Sequence, residues 1–377
     1  MPRVARGASI DHMNPTNAGA RMHTPRRALL LSNADELSYR VMRCVTAAGL
    51  EAHVLGATES TAWRLARSKY CRSFEGVPAV DFATGAAVKR VNALTRSRSI
   101  DIVIATDPAS TRFLVSHADS IEARHFPVLD APTFERLVNK DGFASVCREL
   151  HLPHPETEIC QAAEEALALL DSRPDKTLIV KPTDAYASHG VWKLVPGEAG
   201  ARERLRALSY TPIVMQDFIE GSDLHVLLLC DAGRIAASIT YQLGPTEFRI
   251  IDDDDVLLLM ERISSALSLN GPIGFDMRRD TQGRLWLIEC NPRFTHEGSL
   301  MCFLSGYSIV GEYLSPGTLP SRAPPATVHH AKLLRPWTLV AADRRHTRYL
   351  LSDARPNVLQ ACREFYSDKV HRAAPAF

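Results

Sequence analysis

The sequence carries almost no net charge: 44 Lys and Arg stand against 43 Asp and Glu, a formal +1 over 377 residues. A polyanion or an anionic membrane surface is not attracted in bulk by such a chain, so specificity is expected in local sites and neither nucleic acid nor membrane as a partner. No apolar run approaches the roughly 20 residues that a bilayer span requires, and the N-terminal stretch lacks the apolar core of a secretory signal. The cysteines (Cys44, Cys71, Cys147, Cys160, Cys230, Cys290, Cys302 and Cys362) are scattered, without a Cys-x-x-Cys pair. That spacing argues against a zinc site or a disulfide framework and for reduced packing thiols in a cytoplasmic protein. Internal repeats and low-complexity tracts are also lacking.

What the chain does have is an apolar fraction of 45%, enough for two or three compact units. Residues 1–24 lack periodicity and are expected to be a disordered tail. From Arg27 the grammar is strand then helix: Ala28 to Ser32, the helical spacing of Leu37, Val41, Cys44, Val45 and Ala48, a stop at Gly49, and Ala52 to Leu55. A helix around Ala86 to Thr95 leads into a strand Ile100 to Ala105, and a third unit ends in Pro127 to Leu129. Short apolar strands alternating with helices imply a parallel sheet covered on both faces, so residues 25–131 read as a doubly wound α/β domain.

Beyond Pro132 strand pairs dominate. A helix through Phe143, Val146, Cys147 and Leu150 precedes strands at Leu178 to Val180, Ile213 to Ile219, Leu224 to Cys230, Arg234 to Tyr241, Gly274 to Arg278 and Leu285 to Glu289. Turns at Asp231-Ala232-Gly233 and Thr281-Gln282-Gly283 and a helix Val256 to Leu269 complete an α+β pattern. A Pro/Ser-rich connector covers 316–325, and the remainder to Phe377 has no legible motif.

The hairpin from Gly274 to Arg293 carries the clearest chemistry. Side chains alternate along a strand, so Glu289 and Asn291 share one face while Ile288 and Cys290 take the other. A turn at Gln282-Gly283 would return Asp276 beside Glu289. Two carboxylates and an amide oxygen form a hard-oxygen set suited to magnesium, and Arg293 would add a planar cation on the same face. An ordinary hairpin with a polar solvent side is the plain alternative, and Asn-Pro-Arg so soon after the Glu is an unusual way to end one.

The string Ile288-Glu289-Cys290-Asn291-Pro292-Arg293-Phe294 resembles the metal-binding end of the ATP-grasp superfamily, with Asp276 in the place of its other metal carboxylate. Further segments follow in the superfamily's order. Asn139-Lys140-Asp141-Gly142-Phe143 is similar to its lysine-bearing helix start, and Leu178-Ile179-Val180-Lys181-Pro182 to its second lysine strand. Ser188-His189-Gly190-Val191, within the loop from Thr183 to Lys193, is similar to its phosphate-covering loop. Residues 214–223 (Val-Met-Gln-Asp-Phe-Ile-Glu-Gly-Ser-Asp) resemble the hinge between its lobes.

The resemblance runs from about Thr24 to Tyr313. It implies a pre-ATP-grasp domain followed by a two-lobed ATP-grasp fold, with a small lobe at 132–213, a large lobe at 214–318, and a segment of unassigned role at 319–377. ATP and magnesium, as a pair of ions with manganese able to serve instead, are the implied cofactors. Lys140, Lys181, Ser188, His189 and Gly190 would meet the phosphates, Gln216 and the backbone of Asp217, Phe218 and Ile219 the adenine edge, and Asp223 the ribose. Asp276, Glu289 and Asn291 would hold the metal, with Lys181 and Arg293 acting on the transferring phosphoryl group. The implied activity is a ligase that activates a small carboxylate as an acyl phosphate and joins it to an amine or similar nucleophile, with a homo-oligomer compatible. Phosphorylation of an alcohol and a silent nucleotide-binding regulator are the alternatives. His225 has no implied role, and Thr295-His296-Glu297-Gly298-Ser299 is the one segment nominated for substrate.

Overall fold

The computed structural model of the chain describes residues 26–59, 64–183, 190–244, 247–329, 344–358 and Ala361. Four parallel strands open it: β1 (Arg27–Ser32), β2 (Glu51–Ala57), β3 (Cys71–Val77) and β4 (Ile102–Ala105), in the order β3-β2-β1-β4. Alternate residues of β1 feed two separate cores. Ala28 and Leu30 pack with the helix Asp35–Ala47, whereas Leu29 and Leu31 pack with helices Ala87–Arg98 and Pro108–His117. Burial on both faces explains why the strand reads as an unbroken apolar run rather than an alternating one.

The expected strand at Pro127 to Leu129 does not form. A single parallel bridge joins Val103 to His125, with the Phe126 N–H donating to the Val103 carbonyl at 2.8 Å. Pro127 then ends the pairing, because it has no N–H to continue a ladder.

A second sheet holds β5 (Thr157–Cys160), β6 (Leu178–Pro182), β7 (Trp192–Leu194) and β8 (Ile213–Asp217), antiparallel in the order β5-β8-β6-β7. Helices Ala163–Ser172 and Ala201–Arg206 cover it through Ala166, Leu167, Ala201 and Leu205. The third sheet contains β9 (Gly221–Asp231), β10 (Arg234–Leu243), β11 (Glu247–Ile251), β12 (Gly271–Asp280), β13 (Leu285–Asn291) and β14 (Ala326–His329), ordered β13-β12-β9-β10-β11-β14. One of its faces packs on helices Ala131–Val138, Lys140–Glu149 and Asp254–Ala266, with Phe134, Phe143, Cys147, Met260, Leu228, Phe275 and Leu287 in that core.

Three assignments differ from those read in the sequence. The strand at 213 belongs wholly to the smaller sheet and stops at Asp217, so the chain passes between the sheets at 218–220 rather than at 213–214. The helices at 131–149 pack on the larger sheet. The C-terminal segment also contributes structure, adding β14 to the edge of the larger sheet and a helix Arg344–Leu351 to the first domain.

That last docking is polar and buried. Arg43 lies with its guanidinium 4.1 Å from the Tyr70 ring, 4.6 Å from Tyr349 and 4.7 Å from Phe303, and donates to the Tyr349 carbonyl at 3.2 Å. Asp353 accepts from Tyr39 Oη at 3.0 Å and from Ser68 Oγ. The described cysteines are all free, and all except Cys71 are buried. Among the described residues no helix is long and apolar enough to cross a membrane.

Candidate active site

The hairpin turn closes at 281–283, held by Asp280, whose carboxylate accepts from Gln282 N, Arg284 N and Trp286 Nε1 at 2.9–3.0 Å. On this return Asp276 stands directly opposite Glu289, and Gly274 opposite Asn291. A β-bulge follows the Asp276–Glu289 pair. The extra residue lets Leu287 and Cys290 both enter the core while Glu289 and Asn291 face the other way. Gly274 is required by its neighbour, since a Cβ there would lie 2.2 Å from the Thr295 methyl group. The nominated segment Thr295 to Ser299 thereby runs close against β12 at Gly274, and Thr295 precedes the helix His296–Ser305.

Like charges directly opposed across a sheet destabilise it unless a cation intervenes. Here Lys140 Nζ lies 3.9 Å from Glu289 Oε2, and Asn291 Nδ2 donates to Asp276 Oδ2 at 3.1 Å. Arg293 Nη2 donates to Asn291 Oδ1 at 2.8 Å and Nη1 to the Phe294 carbonyl at 3.1 Å. Burial pushes the Glu289 carboxyl above the usual range; Lys140 works against that and the Asp276 charge adds to it. Among the described residues no three His, Cys, Asp or Glu side chains converge as a metal site. The set is two carboxylates and one amide, which as oxygen donors fit a small hard cation.

Both lysines are buried, Lys140 at 6% and Lys181 at 3% exposure. Lys140 starts its helix on a tight approach to the preceding one: a Cβ at Gly142 would sit 2.4 Å from the Arg136 carbonyl oxygen. Lys181 lies near the end of β6, and its Nζ donates to Gln216 Oε1 at 2.9 Å. Gln216 is fixed in turn by donating to Thr157 Oγ1 at 2.9 Å. Burial lowers the Lys181 ammonium to about 8, with Glu289 and Asp276 pulling upward and Lys140 downward. Burial together with Lys181 also lowers His154, beside Gln216, to about 4.

The other expected contacts divide. Ser188 and His189 lie outside the described residues, while Gly190 adopts a left-handed conformation (φ +72°) against Pro182. The Asp217 carboxylate turns away, held by Lys176 Nζ at 2.6 Å and Arg173 Nη1 at 3.4 Å. The Asp217 and Phe218 N–H groups are taken by Glu156 O and Thr177 O. Phe218 lies under two cations, Lys193 Nζ at 3.7 Å and the Arg278 guanidinium at 5.1 Å. Arg278 also pairs with Asp223 at 2.5 Å, which joins Asp223 to Phe218.

A model of the ATP-grasp domain matches residues 139–297. Those residues are an ATP-grasp domain. The match takes in Lys140, Lys181, Gln216, Asp276, Glu289, Asn291 and Arg293 together. Solved structures share the wider architecture. An L-amino acid ligase from Bacillus licheniformis aligns over 81% of this chain and 79% of its own, with TM-score 0.60 and 16% identity. A carboxyaminoimidazole ribonucleotide synthase from Aspergillus clavatus, complexed with ATP, aligns over 81% and 82%, with TM-score 0.61 and 16% identity. The biotin carboxylase domain of a Hydrogenobacter thermophilus 2-oxoglutarate carboxylase aligns over 82% and 75%, with TM-score 0.61 and 13% identity. At these identities the likeness establishes the fold: a parallel first domain followed by the two sheets of the ATP-grasp domain. No curated protein sequence matches the chain.

Three groups at the site carry no assigned role in the sequence pattern. His225, opposite Asp276 on β9, hydrogen-bonds it through Nδ1 at 2.7 Å. Burial opposes the charged imidazole, yet the Asp276 hydrogen bond and charge raise its pKa above the usual histidine value. Asp107 is buried behind Arg293, caps the helix Pro108–His117 and accepts from the Asn33 N–H. Thr157 orients Gln216. Of these only Asp107 had a readable signal, since Asp-Pro before a helix is a cap-and-first-residue pair.

Proposed function

We propose that the protein is an ATP-dependent carboxylate–amine ligase, with the nucleotide bound between the two sheets of its ATP-grasp domain. The observation that carries this reading is the convergence of Lys140 from one helix, Lys181 from the smaller sheet, and Asp276, Glu289, Asn291 and Arg293 from the larger. These residues span more than 150 positions and come together as one cluster of opposed carboxylates and buried cations. Buried ammonium groups beside a pair of facing carboxylates suit a polyphosphate chelated by a hard cation.

In this reading Asp276, Glu289 and Asn291 hold magnesium, which would shield the charge of the phosphates. Lys140 and Lys181 act as counter-charges to those phosphates, with Gly190 close to Lys181 through Pro182. The base lies along β8, where Gln216 is oriented by Thr157, and the Ile219 main chain just beyond that strand meets its polar edge, with Asp223 near the ribose. Arg293 holds Asn291 with one arm and stabilises charge on the transferring phosphoryl group. A substrate carboxylate attacks the γ-phosphorus, ADP leaves, and an amine displaces phosphate from the acyl phosphate to form an amide. Amino acid ligation, for which the Bacillus licheniformis relative is named, is chemistry of this kind.

The reading is tested by measuring ADP release from Mg-ATP over paired amino acids and small carboxylic acids. ADP formation that requires both a carboxylate and an amine, with free phosphate as coproduct, supports it. Phosphate retained on the product, with no need for an amine, would establish kinase chemistry instead.

A further inference from the structure

The row of side chains across the larger sheet continues past the two carboxylates. In register, Glu289 of β13 faces Asp276 of β12, Asp276 faces His225 of β9, and His225 faces Tyr241 of β10. The His225 ring stacks on the buried Tyr241 ring at 5.4 Å and 20°, and Tyr241 Oη lies 3.5 Å from Thr295 Oγ1. The imidazole is therefore held flat from one side while Nδ1 engages Asp276 Oδ1 at 2.7 Å. The other carboxylate oxygen, Oδ2, meets Asn291 Nδ2 at 3.1 Å.

We propose that His225 is a positioning residue that fixes the Asp276 carboxylate through Oδ1, turns Oδ2 toward Asn291 and the cation, and thereby selects a small octahedral ion over calcium. The inference rests on the reading of Asp276, Glu289 and Asn291 as the cation site. Magnesium takes single oxygens at about 2.0–2.1 Å in an octahedron, whereas calcium takes six to eight oxygens and readily uses both oxygens of a carboxylate. With Oδ1 accepting from an imidazole that stacking holds in place, Asp276 can turn only Oδ2, the oxygen beside Asn291, to the cation. A ligand fixed in this way also gains affinity for its metal, and loss of such an outer contact typically costs 10–100-fold.

The test uses the full-length protein with ADP, following bound and free Mn2+ by electron paramagnetic resonance, with Mg2+ and Ca2+ as competitors. His225→Leu removes the donor, His225→Asn keeps an amide N–H near the position of Nδ1, and His225→Gln moves it one bond further away. The expected result is a loss of Mg2+ affinity of about tenfold or more in His225→Leu, with the Mg2+/Ca2+ preference shifted toward calcium and largely restored in His225→Asn. If His225→Leu does not fold, a preference retained by Asn and lost by Gln carries the same conclusion. An unchanged Mg2+/Ca2+ ratio in a folded His225→Leu, or equal ratios for Asn and Gln, overturns the role of His225. Failure of the wild-type protein to bind any of the three ions with ADP overturns the cation site itself, and this inference with it.

Discussion

Replacing Lys181 with Met separates what this residue does for the fold from what it does for a ligand. Lys181 is 3% exposed, and burial takes its pKa from 10.5 to about 8. At about 1.4 kcal/mol per pH unit, holding the ammonium charged in the folded protein costs about 3 kcal/mol at neutral pH. Met removes that cost, keeps the length of the side chain, and gives up the bond to Gln216 Oε1, a charged hydrogen bond worth about 2 kcal/mol. Gln216 keeps its partner Thr157. The variant should therefore be about 1 kcal/mol more stable than wild type at pH 7.

The pH dependence has a definite sign. Between about pH 8 and 10.5 the unfolded chain keeps the Lys181 proton while the folded protein has released it, so wild-type stability rises with pH across that window. Below it the cost is constant. Urea unfolding of both proteins at pH 7 and pH 10 measures this, with the difference between them turning toward wild type as pH rises. ATP affinity should meanwhile fall by at least about tenfold in the variant, since a buried cation is the counter-charge that phosphate needs. A variant destabilised by 2 kcal/mol or more at pH 7, or a difference indifferent to pH, would show that Lys181 is chiefly a structural contact.

Glu289→Gln should not destabilise the fold, because burial and the facing Asp276 already oppose its charge, and should lower ADP formation roughly a hundredfold, measured by urea unfolding and coupled ADP assay; activity within a few-fold at limiting magnesium would contradict the cation site. Asp353→Ala should destabilise the chain by about 2–3 kcal/mol, because it strips acceptors from the buried Tyr39 and Ser68 hydroxyls. Chemical unfolding checks it, and an unchanged midpoint would mean that the C-terminal segment does not stabilise the first domain.

Legibility in the sequence followed local pattern. The alternation of Glu289 and Asn291, the Thr281-Gln282-Gly283 turn and the apolar run at Ala28 to Ser32 each identify an element from a few adjacent residues, and each is found in the structure. The strand Cys71–Val77 was not readable, because it is a half-exposed edge whose Arg72, Ser73 and Glu75 dilute its apolar residues. Nor was β14, which lies just after a Pro-rich connector and is four residues long. His225 was unassignable for another reason: its meaning lies in strands 16 and 51 residues away, which place Tyr241 and Asp276 on either side of it. Lys140, Lys181 and Arg293 were legible by order and motif, whereas Asp217 has its carboxylate turned toward Lys176 and Arg173 by strand alternation.

Activation of a carboxylate by phosphoryl transfer moves one of its oxygens into phosphate, and isotope labelling detects that transfer. With a substrate pair identified from the ADP screen, the carboxylic acid is supplied with 18O in both carboxyl oxygens, and the phosphate released with ADP is analysed by mass spectrometry or 31P NMR. Attack of the carboxylate on the γ-phosphorus requires one labelled oxygen to leave in each phosphate as the amide forms. Phosphate free of label, with both 18O atoms retained in the acid, would rule out an acyl phosphate.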